Sequence, residues 1–280
     1  MINEEIEFLN DRYVSGRVSI IMGIYNCADT LAEAIDSILA QSYNNWELIL
    51  CDDGSIDNTY NVARKYQEAY PEKIKLLQHK ENCGLNITLN DCLAQASGEF
   101  IARMDGDDIS LPTRLEKEVS FLRCNPNYSI VSCPMIYFDE KGEWGKGKVV
   151  KEPSKKTFAY RTPFCHAPAM VKREAFKACK GYSLDKSTLR SEDYDLWGRM
   201  YALGFRGGNL EEHLYMMRDG RKAFSRRKFS MAVNSFITKV RIAKLLHLPF
   251  WAYIRAIRPL LVSLIPWPLY CYLHKKKKKA

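Results

Sequence analysis

"EFIARMDGDDISLP", residues 99–112, sets the apolar run Phe100-Ile101-Ala102 just before three carboxylates in four positions, Asp105, Asp107 and Asp108. Like charges at that spacing repel, and none is buried cheaply without a partner. Either the cluster sits in water on a turn, or it faces something positive.

Upstream, "VSIIMGIYN" (18–26) is a continuous apolar run with β-branched residues, the pattern of a buried strand. "TLAEAIDSILAQ" then opens with Thr30 and Glu33 at capping-box spacing, and Leu31, Ile35, Ile38 and Leu39 share one helical face. "WELILCDDGS" (46–55) predicts a second strand ending in Asp52 and Asp53, after which Asp57 caps a helix with Val62, Ala63 and Tyr66 inward. "KIKLLQH" (73–79) predicts a third strand, residues 85–96 a third helix, and "EFIARM" a fourth strand. Ser110 and Pro112 then start another helix, with Leu111, Leu115, Val119 and Leu122 on its apolar face.

Strand and helix thus alternate four times in the first 125 residues, which means a parallel α/β sheet with right-handed crossovers. Open sheets of this kind bind ligands beyond the C-terminal ends of their strands. Asp52-Asp53 and the Asp105–Asp108 cluster both fall at such ends, so position favours a site over a solvated turn. The second half is less regular. Strands are expected near 129–138 and 148–151, with "DEKGEWGKG" as a turn or loop between them. "APAMVKREAF" reads as a strand running into a helix, and "SEDYDLWGRMYALGF" as an amphipathic helix.

Composition bounds the rest. With 280 residues, 46% apolar and 27% charged, the chain is globular and long enough for a substantial core. Nine cysteines, without a CxxC pair and odd in number, argue against a zinc cluster or disulfide framework and for a reducing compartment. "MINEEIEFLNDRY" lacks a secretory pattern, so the expected location is cytoplasmic. The net charge of +9 is uneven: residues 221–280 hold fifteen Lys and Arg and no acid, whereas residues 1–220 hold 27 basic and 33 acidic side chains. A basic tail of that kind points to a polyanion, either nucleic acid or an anionic membrane.

"VSIIMGIYN", "DDGSIDNT", "MDGDDISLPTRLEKEVSFL" and "SEDYDLWGRM" occur in the order seen in family 2 glycosyltransferases of the GT-A fold. The chain resembles that family over roughly residues 16–220, above all bacterial enzymes that build surface polysaccharides such as O-antigen, capsule or exopolysaccharide. The resemblance implies a Rossmann-like, mostly parallel sheet flanked by helices. Its nucleotide-sugar-binding half would cover about 16–125 and its acceptor-binding half about 126–220. It also implies an inverting transfer of a hexose or N-acetylhexosamine from a UDP-sugar to a lipid-diphosphate-linked saccharide. The processive QxxRW signature is absent, which implies one sugar per encounter.

Such a transfer needs the departing pyrophosphate neutralised, which a hard divalent cation held by carboxylates does. Asp105 and Asp107 match the family's DxD pair for Mn²⁺ or Mg²⁺, with Asp105 also near the ribose; Asp108 is a supporting or helix-start carboxylate. Asp52 and Asp53 match the position that accepts a hydrogen bond from the base, although Asp-Gly-Ser equally forms an Asx turn. Tyr25 matches a residue beside base or ribose, or is a plain surface tyrosine; Asn82 and Gly84 match a turn near the nucleotide. Asp193 matches the carboxylate that takes the acceptor's proton, with Glu192 as the neighbour that positions the acceptor. The plainer alternative is an acid-rich helix start, of which Asp195 is one more example. His166 matches a family histidine that stands directly before proline, but Ala167 intervenes here. An acceptor contact and a structural histidine are both open readings of it. Arg218 matches an arginine that reaches the diphosphate, and Arg221 shares that role or simply begins the tail.

In the tail, Phe229, Val233, Phe236, Ile237 and Val240 fall on one helical face. Residues 259–273 are uncharged but too few to span a bilayer comfortably. Residues 221–280 therefore read as a basic, apolar helical segment lying on an anionic membrane, which would place the protein peripherally on the inner face of the cell membrane. A helix packed on the catalytic domain plus a solvated lysine run is the other reading. Three rival functions are weaker. A sugar-phosphate nucleotidyltransferase needs a Gly-rich phosphate loop that "MGIYNCADT" lacks. A nucleic-acid binder would interleave aromatics with charge, whereas here the blocks are separate. A catalytically silent scaffold for polysaccharide assembly would lack activity.

Overall fold

The computed structural model describes residues 12–219 and 229–265. Arg221 and the Lys275–Lys279 run lie outside the described residues. Strands β1 (Val14–Ile24), β2 (Trp46–Asp52), β3 (Ile74–Gln78) and β4 (Gly98–Arg103) pair in parallel in the spatial order β3-β2-β1-β4. Helices α1 (Ala28–Leu39), α2 (Thr59–Ala69) and α3 (Leu85–Gln95) make the crossovers. The strands read as unbroken apolar runs because helices cover both faces: all seven residues of β2 are buried. Building outward from β1 in both directions leaves the C-terminal ends of β1, β2 and β4 facing one crevice.

Beyond β4 the sheet continues by tertiary pairing. β9 (Met170–Lys172) lies antiparallel between β4 and β6 (Ile130–Ser132), and β10 (Gly207–Asn209) adds in parallel to β6, giving seven strands. A second sheet of four strands runs β5 (Ile109–Ser110), β11 (Tyr215–Arg218), β7 (Met135–Asp139), β8 (Gly142–Lys146). α4 (Arg114–Cys124), α5 (Arg173–Cys179) and α6 (Glu192–Ala202) complete this half.

Several local expectations shift. Ser110 belongs to β5, and α4 begins only at Arg114. The "DEKGEWGKG" segment is not a loop but half of the β7–β8 hairpin, where Tyr137 and Trp144 stack at 5.3 Å; residues 148–151 form no strand. Thr30 and Glu33 make no capping box, because α1 starts at Ala28 and places both inside the helix.

α7 (Phe229–Leu245) and α8 (Phe250–Ala256) pack on the core that α6 helps to build, and α9 (Arg258–Ser263) lies against α7 and α8. The docked face of α7 is Ala232, Thr238, Ile242 and Ala243, not the Phe229–Val233–Phe236–Ile237–Val240 face that sequence periodicity singles out. The cause is a close helix approach. A Cβ on Gly198 of α6 would sit 2.5 Å from Ile242 Cδ1 and 2.7 Å from its Cγ2. Arg241 fixes the same contact electrostatically, pairing with the buried Asp195 and, at 2.8 Å, with Asp185. Asp195 is thus a docking carboxylate rather than a mere helix-start acid. Among the described residues no helix is long and apolar enough to cross a membrane.

Overpacking a filled contact typically costs about 1–3 kcal/mol. Gly198→Ala should therefore lower unfolding stability in urea by about that amount. Adding Ile242→Ala should cost less than the sum of the two single changes, since neighbours that share a cavity are not additive. Additive losses would mean that the two residues do not touch.

Candidate active site

The crevice wall at β1 and β2 is built by turns that lock one another. The Asn26 backbone N–H donates to Ser55 Oγ at 3.0 Å, and Asn26 Oδ1 accepts from the Ile56 N–H. Asp52, fully buried, accepts from Ser55 Oγ and from the Ser55 N–H at 3.4 Å, so its carboxylate is closed into an Asx turn. Asp53 accepts from the backbone N–H groups of Cys83 and Gly84, at 2.8 and 2.9 Å, and from His79 Nδ1 at 2.9 Å. Burial alone would lower the His79 pKa, but the carboxylates of Asp53 and Asp91 on its two ring nitrogens raise it. Asp53 therefore holds the 79–84 loop against the sheet. Gly54 makes room for it: φ is +71°, and a Cβ there would meet the Glu81 backbone at 2.5 Å. Gly84 needs φ +95°. Tyr25 and Asn82 stand exposed on the same wall.

At the end of β4 the acidic cluster meets its counter-charge. Arg103, 7% exposed, forms a bidentate pair with Asp105, one arm at 2.7 Å. Asp108 is buried and accepts from the Arg218 backbone N–H at 2.8 Å; Tyr215 donates its hydroxyl to Asp108 and accepts from the Asp105 N–H at 3.2 Å. Burial, then the charges of Asp105 and Asp107, lift Asp108 well above the usual carboxylate range. Asp107 is different. The residue reaches the surface, no side chain among the described residues donates to it, and partial burial of the carboxyl, then the charge of Asp105, raises its pKa.

The Arg218 side chain lies at the same loop. Its Nε donates to the Asp107 carbonyl at 2.9 Å, its guanidinium pairs with Glu33, and its Cζ sits 4.5 Å over the Phe138 ring. Thr30 Oγ1 donates to the Gly106 carbonyl at 3.1 Å. The Thr30 and Glu33 side chains therefore serve the acidic loop, not a helix cap. Ligand oxygens of Asp105, Asp107 and Asp108 all lie within 4.8 Å of one another. With Asp107 unpaired among the described residues and Asp108 pushed up by its like-charged neighbours, a divalent cation would relieve the cluster. Asp53, His79 and Cys83 also bring ligand atoms that close, but His79 is already clamped between two aspartates.

Across the crevice, Glu192 and Asp193 form the first turn of α6, both half-buried. Burial, helped by the charge of Glu192, raises the Asp193 pKa to about 6, against the lowering influence of the Tyr194 N–H and Arg103. His166 Nε2 meets the Tyr182 hydroxyl at 2.9 Å. Burial and the Arg103 charge push His166 well below its ordinary pKa, so it is a neutral hydrogen-bonded ring. Arg103 is thus the residue that sequence reading missed, since it pairs with Asp105 and also acts on Asp193 and His166. The available signal was a cation inside an apolar strand run, two residues before the first aspartate.

Removing one partner of a buried ion pair typically costs about 3–5 kcal/mol. Asp105 is 29% exposed at its side chain, so Arg103→Met should cost somewhat less, about 2–3 kcal/mol, in a denaturant titration. An unchanged midpoint would mean that the pair is not made.

A family model for glycosyl transferase family 2 matches residues 19–179. The putative glycosyltransferase EpsE of Bacillus subtilis (strain 168) is 46% identical over 93% of this chain and 94% of its own length. The UDP-Glc:alpha-D-GlcNAc-diphosphoundecaprenol beta-1,3-glucosyltransferase WfaP of Escherichia coli is 27% identical over 82% of this chain and 85% of its own. Among solved structures, the mannosyltransferase PcManGT from Pyrobaculum calidifontis, in complex with GDP-Man and Mn²⁺, superposes with a TM-score of 0.63 at 23% identity, covering 93% of this chain and 79% of that one. With the alternating sheet and the matched segment in agreement, the chain belongs to glycosyl transferase family 2 and is a glycosyltransferase.

Proposed function

We propose that the protein is an inverting, metal-dependent, non-processive enzyme of bacterial polysaccharide synthesis. It would move a hexose or N-acetylhexosamine from a UDP-sugar to a lipid-diphosphate-linked saccharide. The observation that carries this reading is Arg103, whose guanidinium pairs with Asp105 and also acts on Asp193. One guanidinium charge therefore bears on a donor-side and an acceptor-side carboxylate. The relative WfaP, named for a UDP-glucose donor and a diphosphoundecaprenol-linked acceptor, supports the substrate classes.

In this reading Asp107 and Asp105 hold Mn²⁺ or Mg²⁺, with Asp108 behind them tying the loop to β11. The ion would neutralise the charge that builds on the departing pyrophosphate. Arg218, steadied by Glu33 and Phe138, adds positive charge at the rim of the loop. Tyr25, Asn82 and Gly84 form the wall for the nucleoside, and Asp52 and Asp53 set its shape by closing the turn and holding the loop. Asp193 takes the proton from the attacking hydroxyl, and Glu192 positions the acceptor sugar. Attack from the side opposite the nucleotide inverts the anomeric centre.

We read residues 1–220 as the catalytic unit and 221–280 as the part that meets the membrane. Phe250, Ile254, Leu261 and Leu264 are exposed, Phe250 by 78%, on helices without a single acid. Such a surface suits shallow seating in an anionic leaflet on the cytoplasmic side.

Three outcomes are expected. Activity should vanish in excess chelator and return with Mn²⁺ or Mg²⁺; full turnover in chelator would sink the metal assignment. Below about pH 6 the Asp193 carboxyl is protonated and cannot accept a proton, so kcat/KM should fall about tenfold per pH unit there. Asp193→Asn should lower transfer by roughly 10²–10⁴-fold with donor binding kept. A variant that transfers at the normal rate would move the base elsewhere.

A further inference from the structure

Lys239 of α7, Arg255 of α8 and Arg258 at the start of α9 have no carboxylate within ion-pair distance among the described residues. Arg241, by contrast, is engaged by Asp185 and Asp195. Lys239 is half-buried, with its ammonium 4.8 Å from the ring centroid of Tyr194, the residue after Asp193. Arg255 lies 4.3 Å over Tyr160 and 5.9 Å over Trp251, two rings that are themselves 5.1 Å apart. Stacking on rings orients a guanidinium and leaves its edge free for bidentate contact with phosphate oxygens. Lys239 and Arg255 line one shallow cleft together with Tyr194, Phe158, Leu248 and Ala252. Arg258 is close enough for its charge to act on Lys239.

The cleft stands between two surfaces of different chemistry. On one side is the proposed base, Asp193, whose charge also reaches Lys239. On the other are the exposed aliphatics of α8 and α9, Ile254, Ile257, Leu261 and Leu264. An acceptor made of a sugar, a diphosphate and a lipid presents the same three chemistries in the same order. Burial and the Arg258 charge lower the Lys239 pKa, so an anion in the cleft would relieve a cost already present in the fold. Lys239 is half-buried whereas Arg255 and Arg258 are exposed, so an anion that uses all three must enter the cleft rather than rest on its rim.

We infer that Lys239, Arg255 and Arg258 form the subsite for the acceptor's diphosphate, with the apolar residues of α8 and α9 taking the first part of its lipid chain. This rests on the lipid-diphosphate acceptor proposed above. It adds a residue-level specificity for phosphate, separate from the metal-dependent diphosphate site at Asp105 and Asp107.

The test uses the full-length protein in neutral detergent with excess chelator, which silences the donor-side site. Binding of farnesyl diphosphate and of farnesol is followed by calorimetry. Farnesyl diphosphate should bind at least tenfold more tightly than farnesol. Lys239→Met and Arg255→Gln should each weaken farnesyl diphosphate tenfold or more while leaving farnesol unchanged. Arg255→Lys should restore part of the loss, and UDP binding in Mn²⁺ should stay at the wild-type level as a check on folding. Farnesyl diphosphate binding that needs divalent metal, that ignores both substitutions, or that phosphatidylglycerol displaces at equal concentration would overturn the subsite. The two readings fail separately. Wild-type transfer that is equally fast to a lipid-diphosphate and a lipid-free acceptor would refute the acceptor class. If that preference holds while both variants bind farnesyl diphosphate normally, the subsite is wrong.

Discussion

A guanidinium inside a sheet is what makes the acidic loop possible. Arg103 ends β4, where its neighbours Ile101 and Ala102 are core residues, and its charge is taken out of water. Without a carboxylate in contact that burial would be prohibitive, and without the guanidinium three aspartates at one strand end would repel each other open. The Arg103–Asp105 pair solves both problems at once. The far side of the loop is held by Asp108 on the Arg218 backbone, and its middle by Thr30 on the Gly106 carbonyl. Asp107 is the member left facing solvent, which is why the loop can present one carboxylate outward without collapsing.

The same frame explains the division of labour among the arginines. Arg114, fully buried, donates to the Arg103 carbonyl at 2.9 Å, pairs with Glu118 at 3.3 Å, and lies 5.1 Å from the Tyr215 ring centroid. Burial raises the Glu118 pKa to about 7 in spite of Arg114. A second buried pair therefore sits directly beneath the first. The strand end rests on two ion pairs rather than on apolar packing alone.

How much of this was legible depended on whether a feature is local. The β1–β4 strands and the α1–α3 crossovers announce themselves, since burial on both faces writes an unbroken apolar run and turns carry Asp, Asn and Gly. β5, two residues long, has no period to detect and exists only because β11 lies beside it. β8 is polar and rich in glycine, so composition suggests a loop, yet pairing with β7 makes it a strand. Thr30 and Glu33 have capping-box spacing for a helix that starts elsewhere; their partners, Gly106 and Arg218, are distant in sequence. The aspartates at 105 and 107 stood out as clustered charge at a strand end, whereas Asp193 was picked out by the family resemblance, since acid at a helix start has a plainer reading. Arg103 did not, because successive strand residues point to opposite faces and its one signal, an arginine inside an apolar run two residues before Asp105, is weak beside three aspartates.

The contact between α6 and α7 bears on how such a chain can be recombined with its relatives. Gly198 admits Ile242, and Asp195 is shared by Arg199 from its own helix and Arg241 from the next. A foreign C-terminal segment joined after β11 would have to bring an aliphatic group of matching depth and an arginine at one particular turn. Failing that, Asp195 would keep one guanidinium instead of two, and Gly198 would face a void. The helix that carries Asp193 and the helix that follows the basic segment are therefore exchanged together or not at all. The natural crossover point lies before α6, not at the compositional change near residue 221.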